Sequence, residues 1–85
     1  MPTAITEIEL LARLQALLCG NAMGLSAIPG DHGGILIERR GHMRGIWRCI
    51  GGTFSWTLAG YNEPVHTAGG IDEALHYTRT VILAP

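Results

Sequence analysis

The sequence predicts a two-layer α+β domain, an antiparallel sheet of three to four strands with an N-terminal and a C-terminal helix on one of its faces. Three observations carry this expectation. A leucine-rich segment with helical spacing opens the chain, three runs of branched and aromatic residues follow between glycine turns, and a second helical pattern closes it. The 85 residues have room for a single domain over 1–85, and a composition of 47% apolar and 15% charged residues belongs to a chain that buries a core.

The first helix is expected over Glu7–Cys19. Thr6 and Glu9 stand at the spacing of a capping box, and Ile5 and Leu10 at that of a hydrophobic staple. Leu10, Leu11, Leu14, Leu17 and Leu18 then recur at three- and four-residue steps, the stripe a helix buries, and Gly20 supplies a left-handed stop. From Asn21 to Gly34 the chain reads as loop, with room for a short edge strand at Leu25–Ile28.

Three strands are expected next, at Ile35–Arg40, Ile46–Ile50 and Thr53–Ala59. Gly51-Gly52 is a two-residue connection suited to a primed turn, which sets Ile50 opposite Thr53, Cys49 opposite Phe54 and Trp47 opposite Trp56. One face then carries Trp47, Cys49, Phe54, Trp56 and Leu58, and two paired tryptophans there are read as core rather than as a stacking platform. Between the first two strands, the connection from Gly41 to Arg44 is expected to leave an odd number of residues unpaired. That parity turns Ile35 and Ile37 toward the tryptophans and keeps Glu38, Arg40 and Arg48 outside, whereas an even loop would bury Glu38.

After Gly60, Tyr61-Asn62-Glu63-Pro64 reads as a turn, and Val65–Thr67 has the composition of one more brief strand. Gly69-Gly70 leads into the last helix. Asp72 and Glu73 in its first turn complement the dipole, and Ile71, Ala74, Leu75, Thr78, Val81 and Ile82 trace its inward stripe. The expected core is Trp47, Trp56, Phe54, Ile35, Ile37, Leu10, Leu14, Leu17, Leu75 and Ile82.

Composition narrows the function classes. Six basic and seven acidic residues give a formal charge of −1, with no global footprint for nucleic acid or anionic lipid. All the basic residues are arginines (13, 39, 40, 44, 48 and 79), which removes lysine-based nucleophilic chemistry. Cys19 and Cys49 are too sparse for a disulfide framework and are expected reduced and buried. No basic residue precedes Glu7, and Glu7 and Glu9 interrupt the only apolar stretch near the start, so neither a signal peptide nor a membrane span is expected and a cytoplasmic location is. His32, His42, His66 and His76 lack zinc-ligand spacing, and neither Ser26, Ser55 nor Cys49 stands beside a base or on a nucleophile elbow. Paired glycines read as turns, not phosphate cradles. No enzyme, metal or cofactor is expected.

What is left is a surface. Leu36, Ile46 and Ile50 share the face not covered by helices with Arg40 and Arg48, while Arg39 and Arg44 flank the same hairpin tip. Apolar area with arginine anchors suits contact with another protein or with a second copy of the chain, as a homodimer, a subunit or a small regulator or inhibitor of a larger complex. The alternative is nucleic-acid contact through Arg39, Arg40, Arg44 and Arg48. The bland reading of these charges is a solvated face, with Glu38 pairing to Arg48 or Arg40. Tyr61, Asn62, Glu63 and His66 form a second candidate, a polar and aromatic loop site. The helix–three strands–helix order is similar to that of double-stranded RNA-binding domains. Asp72 and Glu73, however, stand where those domains carry basic residues, so the likeness is one of topology alone.

Overall fold

The computed structural model describes residues 3–20 and 23–83, and of residues 3–6 the backbone alone. The element order is α1 (Thr3–Leu18), β1 (Leu25–Pro29), β2 (Ile35–Arg39), β3 (His42–Ile50), β4 (Thr53–Leu58), β5 (His66–Ala68) and α2 (Ile71–Tyr77), which continues as a π-helix over Thr78–Ile82. All strands pair antiparallel in one five-stranded sheet, ordered β1-β2-β3-β4-β5. The sheet exceeds the expected three to four strands because both marginal segments pair, one at each edge. Pairing after the 59–64 loop starts at Val65, whose N–H donates to the Trp56 carbonyl at 2.8 Å.

Helix α1 starts upstream of the expected Glu7. Its backbone is already helical at Thr6, so the helix does not begin there; the Thr6 side chain, on which the expected capping box rests, lies outside the described ones. Glu9 instead meets Arg13 one turn on, at 3.7 Å on the exposed side. The staple partner Ile5 lies among residues whose side chains are outside the described ones. Leu10, Leu14 and Leu18 are buried as the spacing requires, and Gly20 takes the left-handed conformation at φ 71°. Cys19, expected buried, is exposed because the helix ends before it; Cys49 is half-buried, and both are free thiols.

The β3–β4 hairpin has the register set by Gly51-Gly52, including Trp47↔Trp56, Cys49↔Phe54 and Ile50↔Thr53. The β2–β3 hairpin reaches its expected faces by another route. Its turn holds two residues, Arg40 at φ 52° and Gly41 at φ 87°, the primed geometry, and not an odd-numbered loop. A bulge then shifts the register between Ile37↔Gly45 and Glu38↔Met43, inserting the one residue that restores the parity. Ile35 and Ile37 are thereby buried on the tryptophan face while Glu38 stays on the other.

Both helices cover the tryptophan face: α1 packs on β1 and β3, and α2 on β5 and α1. The indoles of Trp47 and Trp56 lie 5.4 Å apart, and Tyr77 of α2 meets Trp47 edge-on at 5.9 Å. Aromatic pairs at such separations add about 0.5–1.5 kcal/mol beyond their buried area. Seven of the expected core residues are fully buried, from Leu10 to Trp56; Leu17, Leu75 and Ile82 are half-buried. Val81, expected inside, is 50% exposed. The reason is the π segment, closed by Leu83 N–H to Thr78 O at 2.8 Å, whose wider turn rotates Val81 off the stripe.

Candidate functional site

The face turned away from the helices is built by strand alternation. Register places Ile28, Leu36, Ile46 and Thr57 side by side across β1 to β4, a row of three aliphatics ending on a threonine. On one side of this row stand Ser26, Glu38 and Met43; on the other stand Arg48, Ser55 and Thr67, with Ile50 and Thr53 beyond them. Among the described residues, the paired strand positions on this face carry two charged side chains, Glu38 and Arg48.

This face is partly walled. The 59–64 connection, turned by the Tyr61 N–H to Leu58 carbonyl bond at 3.0 Å, leans over the β3–β4 half of the sheet. Tyr61, Asn62 and Pro64 form one side of a groove of about 390 Å³ whose floor includes Ile46, Arg48, Ile50 and Ser55. Two regions that the sequence suggested separately, the strand surface and the loop, therefore meet in one concavity. Apolar contact area is supplied by Ile50, Tyr61, Met43 and Ile28, which are 60, 65, 43 and 36% exposed.

Not every expected residue offers open surface on this face. Ile46 points to the outer face but is only 9% exposed, wedged between Leu36 and Thr57 and over Gly34, where a Cβ would stand 2.7 Å from Ile46 Cδ1. Leu36 is half-buried. Arg39 alternates onto the opposite face, where its Nε donates to the Met23 carbonyl at 3.2 Å. Arg40 occupies the turn, with its side chain against Gly24. Arg44, the bulge residue, borders a different recess of about 250 Å³ on the helix side, with Trp56, Tyr77 and Ile82. The four hairpin arginines thus share no common surface.

The pairing of Glu38 with Arg48 or Arg40 is not made: among the described residues the ion pair present is Arg13 with Glu9. Glu38 and Arg48 are kept apart by the aliphatic row between them. Of the loop candidates, Glu63 lies outside the groove and His66 is on the other face of the sheet. There the His66 ring stacks on Tyr77 at 3.9 Å and 7°, and its Nε2, like Trp47 Nε1, is buried without a hydrogen-bond partner. Among the described residues, no three histidine, cysteine or acidic side chains come together, and no helix is long and apolar enough to cross a membrane.

Signals missed in the sequence lie at close approaches. The Glu7 carboxylate accepts the Gly34 N–H at 2.7 Å, tying α1 to the start of β2. Gln15 Nε2 donates to the Ala27 carbonyl at 3.1 Å, so α1 covers part of the β1 edge, which Pro29 also blunts. No family model matches the chain, and neither curated proteins nor solved structures gave a significant match.

Proposed function

We propose that this protein is a non-enzymatic binding module that contacts another protein through the outer face of its sheet. The observation that carries this reading is the groove itself, whose lining combines exposed Ile50, Tyr61 and Met43 with Arg48, whose guanidinium makes no ion pair among the described residues. Aromatic and aliphatic side chains beside an arginine are the composition of interface centres. With one sheet face under the helices and the β1 edge blunted, the outer face is the surface best suited to a partner. A homodimer, a subunit and a small regulator or inhibitor of a larger complex all satisfy it.

Nucleic-acid contact has less support, because Arg39, Arg40, Arg44 and Arg48 diverge and a polyanion would meet them one at a time. A salt titration separates the two. Four arginines on phosphates give log affinity a slope of about −3 against log salt, whereas an apolar interface weakens far less. The protein-binding reading itself is tested by affinity capture from the native host with the parent and Ile50→Asp in parallel. Ile50 is exposed, so the variant keeps its fold; loss of the captured protein supports the reading, and retention of it argues against this face.

A further inference from the structure

We propose that the partner of the outer face is a second copy of this chain, docked sheet to sheet about a two-fold axis that runs along the Ile28–Leu36–Ile46 row. The inference rests on the reading of that face as a protein-binding surface and names its occupant. Its basis is the placement of the two charges. Glu38 on β2 and Arg48 on β3 lie on opposite sides of the aliphatic row, on adjacent strands. For a two-fold axis in the plane between two facing sheets, the two limiting directions are along the strands and along the row. An axis along the strands lays each end of the face over the same end of its copy, so Glu38 never approaches Arg48. The axis along the row exchanges the ends. Each Glu38 then comes over the far side of the row in the copy, displaced from its Arg48 by one strand spacing, about 4.8 Å, across a gap of about 10 Å that the two side chains span.

The remaining features of the face follow the same symmetry. The row lies on itself, as an isologous contact requires, with Ile28 and half-buried Leu36 supplying its open aliphatic area. The 59–64 connection stands at the Glu38 end of β4 and the Gly51-Gly52 hairpin at the Arg48 end, so the exchange brings exposed Tyr61 of one copy toward exposed Ile50 of the other, twice. One acid and one base per face sum to zero, which suits a surface meeting itself. The strands hold five, five, nine, six and three residues, which at about 4.8 Å by about 3.3 Å give roughly 440 Å² in projection, below the ~800 Å² per partner of a standard interface and in the range of weak, concentration-dependent association.

The test is the molar mass of the purified full-length chain by light scattering and sedimentation equilibrium at about 1 mM and on dilution from it, the range in which a small interface associates. The parent is expected at the mass of two chains. Glu38→Arg and Arg48→Glu each place like charges together twice per dimer and should weaken association about 100-fold. Neither residue has an ion pair within the chain among the described residues, so both variants should melt like the parent. Two rescues are specific to this geometry: an equimolar mixture of the two variants, and a chain carrying both reversals, should regain the mass of two chains. A monomeric parent, or a dimer indifferent to the single reversals, would overturn the inference. Because a foreign partner is scored separately by capture with Ile50→Asp, a monomeric parent whose capture depends on Ile50 removes the second copy alone. Loss of both removes the protein-binding surface.

Discussion

Gly45 lies directly beneath the Trp56 indole: a Cβ built on it would stand 2.6 Å from both Cζ2 and Cη2 of that ring and 2.6 Å from the Thr57 carbonyl oxygen. The central strand is therefore bare at the point where the cross-strand aromatic needs the space. Gly45→Ala should push the indole or the β4 backbone aside and cost about 1–3 kcal/mol, read as a lower urea midpoint at unchanged slope. A variant as stable as the parent would mean that Trp56 does not lie over β3.

Removing the ring itself is the complementary change. Trp56 is 2% exposed and packs on Trp47 at 5.4 Å, so Trp56→Ala should cost about 3–5 kcal/mol, more than half the usual stability of so small a domain. Thermal and urea denaturation both measure it, and a melt matching the parent would refute the core.

Register was legible where a turn dictated it and illegible where an insertion did. Gly51-Gly52 admits a primed two-residue turn, and every pair from Ile50↔Thr53 to Trp47↔Trp56 follows by counting. At the other hairpin the burial cost of Glu38 identified the right faces, yet the device that achieves them, a bulge beside Gly45, leaves no residue signature distinct from an odd loop. The Val81 exposure belongs to the same class. The side-chain spacing from Ile71 to Ile82 is that of an α-helix, and the π turn that overrides it forms where the Thr78 hydroxyl bonds back to the Ala74 carbonyl at 2.8 Å. The candidate groove was half legible. Alternation exposed Ile50 and Arg48, but the approach of Tyr61 and Pro64 depends on how the 59–64 connection folds back, which local composition does not encode.

Arg40 holds a left-handed conformation at φ 52° in the two-residue turn, a position where asparagine is far better tolerated. Arg40→Asn should stabilise the protein by about 0.5–1 kcal/mol while keeping the Arg40 backbone N–H bond to the Gly24 carbonyl at 3.1 Å. The check is a rise in melting temperature, and a fall would show that the side-chain packing on Gly24 outweighs the backbone strain.

Glu7 and Gly34 join the first helix to the sheet through a charge-assisted bond. Glu7→Ala leaves the buried Gly34 N–H without its partner and should cost about 1–3 kcal/mol, whereas Glu7→Gln keeps an acceptor and should cost less than half as much. Equal losses in the two variants would indicate that packing, not the hydrogen bond, sets the contribution.

Whether the outer face meets a partner is tested most directly by site-specific photo-cross-linking in the native host. A benzophenone side chain is placed at position 50, on the groove, and for comparison at position 8, where Ile8 is 65% exposed on α1. Both sites are open to solvent, so neither substitution disturbs the core. A discrete protein adduct at position 50 with none at position 8, abolished by Arg48→Glu in the same chain, is the expected result. An adduct at position 8 with none at position 50 would contradict an interface on the outer face of the sheet.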